Sequence, residues 1–134
     1  MNHHTQDFIC PLCAEKLTQA NDFFTDWFFK LVKVEFPDAH ISWSYRNEQD
    51  QNQMVYEGKS KLHWPDSAHN FRDANFQPKS RAVDLFEIDN SYKALFRQAF
   101  YEGVNTLNLQ NSQPVKWGGS WPTLGDRDHF QLNN

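Results

Sequence analysis

Histidine and carboxylate side chains are the groups of this chain that are best suited to hold a reactive metal ion. Three short segments carry them: 67–69 (Ser-Ala-His), 80–84 (Ser-Arg-Ala-Val-Asp) and 126–130 (Asp-Arg-Asp-His-Phe). Hydrolytic zinc sites use three such ligands and leave a fourth position for water, whose pKa the metal lowers to about 7. A nearby carboxylate can take the proton of that water. The pattern is suited to metal-assisted hydrolysis.

Spacing alone does not choose among the histidines. A single histidine is more often structural or exposed than a metal ligand, so each one has an ordinary alternative. From the residues alone, four other histidines are equally available as ligands: His3, His4, His40 and His63.

The two cysteines form one Cys-x-x-Cys pair, Cys10 and Cys13. This spacing is that of half a zinc knuckle, which His3 and His4 could complete. Two reduced thiols near the amino terminus are the simpler interpretation. A redox role would require a strand before the motif and a helix after it, and only the helix is plausible.

Composition narrows the functional class. The chain has 134 residues, enough for one domain, and 16% aromatic residues to fill a core. Its formal net charge of −4 argues against binding to a phosphate backbone. No run approaches the roughly 18 apolar residues of a membrane span, and residues 1–11 lack the apolar stretch of a signal peptide. We therefore expect a soluble monomer made in the cytoplasm, with no nucleic-acid or membrane partner.

The first half of the chain contains the elements that must position these groups. Apolar residues at helical spacing predict a helix from Asn21 to about Phe36, where Pro37 disfavours further helix. Alternation over 41–45 predicts a half-buried strand, and residues 47–56 predict a short helix that ends before Gly58.

The second half begins with a long loop over residues 59–80, a length that is often functional. A strand is predicted over 82–86, a helix from residue 90 or 91 to about Leu107, and an apolar alternation at 130–132. Helices and strands do not alternate as parallel units would, so we predict an α+β fold with helices packed on a small antiparallel sheet. Residues 1–20 are expected to form an extension that carries the Cys-x-x-Cys pair, and residues 21–134 a single domain.

Seven short motifs, in order, resemble the D-alanyl-D-alanine carboxypeptidase and L-alanyl-D-glutamate endopeptidase family of zinc peptidases. Phage endolysins belong to this family, and the hedgehog signalling domain shares its fold. The resemblance covers residues 41–132 and implies that fold and a Zn²⁺ cofactor. The motifs are Ser44-Tyr45-Arg46, Gln51-Asn52, Gly58-Lys59-Ser60, Ser67-x-His69, Arg81-Ala82-Val83-Asp84-Leu85, Trp117-Gly118-Gly119-Ser120-Trp121 and Asp126-x-x-His129-Phe130.

The resemblance also implies roles for individual residues. Asp126 would be the general base toward the attacking water and would later protonate the leaving amine. Arg46 would orient a substrate carboxylate or stabilise the oxyanion. Ser67 would contact substrate or support its neighbouring ligand, and Trp117 and Trp121 would form the cleft wall. The implied zinc ligands are His69, Asp84 and His129.

Two of these roles have ordinary alternatives. Asp126 could cap the turn around Gly125, and Arg46 could be a partner in a surface ion pair. Asp128 also neighbours the last ligand, but the Asp-x-x-His spacing of the family favours Asp126 as the base.

The chain departs from the family pattern in three ways. Asp84 follows His69 by 15 residues, where the family usually has seven, which we interpret as an expansion of the loop over 70–79. That loop is expected to border the cleft, so the expansion bears on substrate specificity. Ser80 stands where glycine is usual, and Gln131 stands where the family often has glutamate.

The resemblance therefore implies a zinc peptidase that cuts the stem peptides of peptidoglycan, as an endolysin or prophage wall enzyme. Such an enzyme would be made in the cytoplasm and would act at the cell wall after release. Two other classes stay open: a binding module that keeps the metal for structure, and a metal-free phage structural protein.

Overall fold

The structure, a computed structural model, describes residues 11–87, 94–121 and 127–133. Among these residues, helices pack on a four-stranded antiparallel sheet, which confirms the predicted α+β fold. The strands are β1 Ala39–Trp43, β2 Ala82–Glu87, β3 Val115–Trp117 and β4 His129–Leu132. The helices are α1 Pro11–Leu17, α2 (Phe23–Asp26, a π-helical segment Trp27–Val32, and Lys33–Glu35), α3 Glu48–Tyr56 and α4 Ala94–Gln110.

The sheet has the strand order β1-β2-β4-β3, so the two strands that carry candidate ligands are neighbours at its centre. Val83 and Leu85 of β2 are fully buried and belong to the hydrophobic core. Asp84 lies between them and points to the other face, since successive side chains of a strand alternate. The centre of the sheet is thus apolar on one side and polar on the other.

Helix α2 supplies most of the aromatic core. Its residues Phe24, Trp27, Phe28 and Val32 are buried, as the helical spacing predicts. The helix ends at Glu35, just before Pro37. Its middle turn is π-helical, a local widening that the apolar spacing did not predict.

Helices α3 and α4 follow the predicted pattern closely. Asn47 precedes α3 and its side chain accepts a hydrogen bond from the Asp50 backbone N–H at 2.8 Å, while Gly58 beyond its end has a φ of +76°. In α4, a Cβ on Gly103 would lie 2.7 Å from Phe36 Cζ. Glycine therefore allows this aromatic ring to pack directly on the helix. The predicted start of α4 at residue 90 or 91 lies outside the described residues.

Helix α1 lies within the segment expected to form an extension. Its residues Cys13 and Leu17, and Ala20 just after it, are buried in the same core cluster as α2 and the sheet. Ala20 also forms a bridge with Ser80. Residues 11–20 therefore contribute to the core.

The long loop between α3 and β2 contains one short 3-10 turn, Ala68–Asn70, and no strand of the four-stranded sheet. Its last ten residues fold back on themselves through a bridge between Arg72 and Pro78. Among the described residues, no helix is both long and apolar enough to cross a bilayer.

Candidate metal centre

The register of the sheet brings two candidate ligands together. In the antiparallel pair of β2 and β4, Asp84 lies directly opposite His129. Residues opposite one another in such a pair project their side chains to the same face, with Cβ atoms about 5 Å apart. Both side chains therefore meet on the polar face of the sheet, and both residues are buried.

The third candidate ligand comes from the loop. His69 lies in the 3-10 turn that follows Ser67, whose hydroxyl oxygen accepts a hydrogen bond from the His69 backbone N–H at 3.2 Å. The His69 carbonyl accepts a hydrogen bond from the Arg46 backbone N–H at 2.9 Å. The first contact fixes the turn, and the second holds the loop against the segment that follows β1.

The three side chains converge on one point. His69 Nε2 lies 3.1 Å from Asp84 Oδ1 and 3.2 Å from His129 Nδ1, and the third distance, from His129 Nδ1 to Asp84 Oδ1, is 3.2 Å. The three atoms form a nearly equilateral triangle of nitrogen, nitrogen and oxygen. In the described part of the chain, this buried group is the one set of three or more histidine, cysteine or carboxylate side chains that could hold a metal ion.

The hydrogen bonds of the two imidazoles indicate which nitrogen atoms carry hydrogen. The Nδ1 atom of His69 lies 2.7 Å from the Ser44 carbonyl oxygen, which can only accept. The Nε2 atom of His129 lies 2.8 Å from Gln131 Oε1, again an acceptor. Each neutral ring therefore donates outward and turns a lone pair toward the Asp84 carboxylate. Three lone pairs that face one another repel unless a cation lies among them.

Burial and nearby charges determine which protonation states of His69 and Asp84 are favoured. Burial lowers the pKa of the His69 imidazole, and the nearby positive charge of Arg46 lowers it further, against the opposing charge of Asp84. Burial raises the pKa of the Asp84 carboxyl, but the attraction and hydrogen bonds that protonated His69 and His129 offer it outweigh burial and hold that pKa well below its usual range. The centre thus favours neutral His69 and charged Asp84, the forms that bind metal.

The other oxygen atom of the Asp84 carboxylate is held by an arginine. Arg46 Nη2 donates to Asp84 Oδ2 at 2.8 Å, and both side chains are almost fully buried. Arg46 also lies 5.0 Å from the centroid of the Trp43 ring. The structure therefore places Arg46 behind the ligand set, in a buried ion pair instead of the surface ion pair that we considered. Its predicted role toward substrate stays a prediction.

Sequence reasoning assigned no role to two buried amides that support this arginine. Gln51 is fully buried, and its Oε1 accepts hydrogen bonds from Arg46 Nη1 at 3.4 Å and from Asn70 Nδ2 at 3.2 Å. Asn70 Nδ2 also donates to the Arg46 carbonyl at 3.1 Å. Gln51 belongs to one of the seven motifs, Gln51-Asn52. Its place in that motif was the signal in the sequence that could have pointed to its role.

Of the two tryptophans expected at the cleft wall, Trp121 lies beside the centre. Its ring centroid is 5.2 Å from that of His129, and the residue is half-buried. Trp117 is 8% exposed and belongs to the core, with its Nε1 donating to the Arg127 carbonyl at 2.6 Å. A Cβ on Gly119 would collide with the Trp117 indole, so glycine at this position allows the ring to lie on the backbone.

Some of the remaining candidates lie outside the described residues, and the others lie elsewhere in the described part of the fold. Asp126, the predicted base, lies outside the described residues, as does Cys10. Cys13 Sγ lies 2.9 Å from His40 Nδ1, and the His40 ring stacks on Phe86 with centroids 5.1 Å apart. His63 is exposed.

Comparisons with known proteins identify a similar fold. No protein-family model matches the chain, and no curated protein sequence matches it. A solved structure does match, the L-Ala D-Glu endopeptidase ChiX of Serratia marcescens, at 22% sequence identity and a TM-score of 0.67. The match covers 90% of this chain and 86% of that one. The two proteins share a fold.

Proposed function

We propose that the chain is a zinc-dependent peptidase that hydrolyses the stem peptides of peptidoglycan. The observation that carries this proposal is the triangle of His69 Nε2, His129 Nδ1 and Asp84 Oδ1, with sides of 3.1 to 3.2 Å. Ligand atoms in a tetrahedral site with zinc–nitrogen bonds of about 2.0–2.1 Å lie roughly 3.3–3.4 Å apart. The spacing of the three atoms is thus compatible with one zinc ion, which His69, Asp84 and His129 would hold.

The donor set supports a catalytic zinc site. Two imidazoles and one carboxylate are a recurring ligand set of catalytic zinc, whereas structural zinc sites have four protein ligands rich in cysteine. Calcium and magnesium prefer oxygen ligands alone. Among the described residues, no fourth ligand and no cysteine belongs to the set.

The residues around the ligands orient them. The Ser44 carbonyl and the Gln131 amide oxygen accept the outer N–H groups of the two imidazoles, and such contacts fix the ring and its tautomer. Arg46 holds one oxygen of Asp84 and turns the other toward the imidazoles. When bound, zinc would acidify water and polarise the carbonyl of a peptide bond.

We assign the proton transfers to Asp126. Its carboxylate would take the proton of the attacking water as the new carbon–oxygen bond forms. It would then deliver that proton to the amine nitrogen as the carbon–nitrogen bond breaks, so the carboxylate is regenerated. Support for this role comes from the Asp-x-x-His spacing of Asp126 and His129, which resembles that of the zinc peptidase family.

The fold shared with a known enzyme supports the proposed substrate class. The matched structure is named an L-Ala D-Glu endopeptidase, so a peptide with an L-Ala–D-Glu bond is the first substrate to test. The place of action would be the cell wall. Trp121 beside His129 offers an apolar surface for the peptide next to the reacting bond.

The test is hydrolysis of purified cell walls and of a defined L-Ala–D-Glu peptide by the zinc-loaded protein, with and without a chelator. We expect about one equivalent of zinc, cleavage that the chelator abolishes, and recovery when zinc is returned. The D126N variant should keep its zinc and lose at least about a hundredfold in kcat, as expected for a lost general base. The neighbouring D128N variant is the matched control and should keep activity within a few-fold.

Three results would contradict parts of this proposal. Wild-type protein that carries a full equivalent of zinc and cleaves nothing would favour the binding module. Zinc below half an equivalent after gentle purification would favour a metal-free structural protein. Activity retained by D126N would remove Asp126 from the mechanism but leave the zinc site in place.

A further inference from the structure

An arginine in the expanded loop is clamped by two aromatic side chains. Arg72 Nε donates a hydrogen bond to the Tyr45 hydroxyl at 2.9 Å. The guanidinium carbon of Arg72 lies 4.9 Å from the centroid of the Trp64 ring and 6.0 Å from that of Tyr45. The two rings meet edge to face at 6.2 Å. These contacts hold the guanidinium in one orientation although the residue is exposed.

This cluster of Arg72, Tyr45 and Trp64 shares its backbone with the metal centre. Tyr45 lies between Ser44, whose carbonyl accepts from His69 Nδ1, and Arg46, whose backbone N–H binds the His69 carbonyl. Arg72 follows His69 by three residues in the chain. The clamped arginine is therefore connected to His69 both along the chain and through Tyr45, whose two neighbours hydrogen-bond to His69.

Contacts within the loop that follows His69 hold the backbone around this arginine in place. The Asp73 side chain accepts hydrogen bonds from the backbone N–H groups of Asn75 and Gln77 at 2.8 and 3.0 Å. Arg72 itself forms a bridge with Pro78. The expansion is thus an ordered turn with Arg72 at its base.

The charge of Arg72 has no protein counterpart in the described part of the chain. None of the ion pairs there includes it, whereas Arg46 pairs with Asp84. The whole chain carries a net charge of −4, so carboxylates are plentiful elsewhere. An oriented guanidinium without a carboxylate partner, in the loop that carries a candidate metal ligand, is suited to bind an anion from outside.

We propose that Arg72 determines specificity by binding a carboxylate of the peptide substrate next to the cleaved bond. This inference rests on the proposed peptidase function. The planar fork of arginine matches the two oxygen atoms of a carboxylate, and stacking on aromatic rings pre-orients that fork. A glutamyl residue within a peptide always carries one carboxyl group outside the peptide backbone. The glutamyl carboxylate, and not a neutral amide, is therefore the group that this site selects.

The experiment compares three forms of one peptide that contains an L-Ala–D-Glu bond. In the first form both carboxylates are free, in the second the glutamyl carboxylate is amidated, and in the third only the carboxyl terminus is amidated. We expect wild-type, zinc-loaded protein to cleave the first and third forms with a kcat/KM about tenfold or more above that of the second, because a hydrogen-bonded charge is lost in the second.

The R72Q variant should remove this preference. We expect its KM for the free-acid peptide to rise about tenfold or more, with kcat and zinc content unchanged and with unchanged cleavage of the glutamyl amide. Lys61 is an exposed residue of the same loop. The control variant K61Q also removes one positive charge and should keep the preference. Y45F removes the hydrogen bond to Arg72 Nε but keeps the ring, and should weaken the preference only in part.

The outcomes separate the two proposals. If wild-type protein cleaves the peptides and R72Q keeps the full preference for the acid, the assignment of Arg72 is wrong and the peptidase function stands. If the preference follows the terminal carboxylate, the site binds that group and not the glutamyl one, and the assignment is again wrong. If zinc-loaded wild-type protein cleaves no peptide and no cell wall, the proposed function itself fails and this inference fails with it.

Discussion

The two oxygen atoms of Asp84 face different partners, and this division organises the candidate centre. Oδ1 lies within 3.2 Å of both imidazoles, while Oδ2 accepts from Arg46 at 2.8 Å. The oxygen atoms of a carboxylate are chemically equivalent, so the arginine decides which one is presented to the imidazoles. Arg46 thereby acts on the centre through Asp84.

Replacement of Arg46 by glutamine should destabilise the metal-free protein more than the zinc-bound protein. Loss of one partner of a buried ion pair leaves the other charge uncompensated, at a cost of about 3–5 kcal/mol. We expect R46Q to lower the free energy of unfolding by about 3 kcal/mol with a chelator present, and by less with zinc, because a bound cation compensates Asp84. Urea denaturation under both conditions measures the difference.

The exposed arginine Arg72 provides the control for that measurement. R72Q should change the free energy of unfolding by less than about 1 kcal/mol with or without zinc. An equal loss for R46Q in the presence and absence of zinc would show that the arginine and the metal do not share Asp84.

The protonation of His69 predicts how stability depends on pH. Burial lowers the pKa of the folded imidazole below its ordinary value of 6.5, so at mildly acidic pH the unfolded chain binds a proton that the folded protein does not. Stability therefore falls as pH drops through about 6.5, by up to about 1.4 kcal/mol per pH unit. Denaturation of the chelated protein between pH 7.5 and 5.5 should show this loss. H69Q should reduce the slope, and H63Q, at an exposed histidine, should not.

At the scale of elements, two side chains cap the starts of helical segments, and only one of these segments carries a candidate ligand. Ser67 caps the 3-10 turn that carries His69, and Asn47 caps α3 through the Asp50 backbone N–H. Each cap satisfies a backbone donor at the start of a helix. Only the first of them positions a candidate ligand.

Removal of these caps should separate stability from metal affinity. S67A and N47A should each lower the free energy of unfolding by about 1 kcal/mol. S67A should also weaken zinc binding about tenfold, since a supporting contact of a ligand is lost, while N47A should leave it unchanged. Zinc competition with a coloured chelator measures the affinity. Equal affinities for the two variants would mean that the turn needs no cap to place His69.

At the scale of the whole molecule, helix α1 belongs to the same core as the sheet and α2. Leu17 is 3% exposed, whereas Leu12 of the same helix is 56% exposed. This contrast makes the two leucines a matched pair for asking whether residues 11–20 stabilise the domain.

The substitution of Leu17 by alanine should cost about 2–4 kcal/mol of unfolding free energy, since it leaves a cavity in a packed core. L12A should change it by no more than about 0.5 kcal/mol. Thermal and urea denaturation of both variants test this. A small effect of L17A would indicate that α1 contributes little to the folding of the remaining chain.

Several elements could be predicted from local chemistry. Pro37 marks the end of α2, Asn47 and Gly58 bracket α3, and alternating residues mark β1 and β4, because these signals act within a few residues of the chain. Strand β3, Val115–Trp117, was not predicted. The π-helical turn within α2 could not be predicted, since it shifts hydrogen bonds while the apolar stripe continues. The buried support from Gln51 was also missed, because burial of a polar side chain depends on distant partners.

The sequence by itself determined the types of the donor groups and the elements that carry them. The resemblance to the zinc peptidases implied that these groups meet, but the spacing of the residues did not determine it. Only the tertiary structure decided that Asp84 pairs with His129 across two strands and that the loop returns His69 to the same point. Strand register and loop closure depend on contacts between residues far apart in the chain, and no local pattern of residues specifies them.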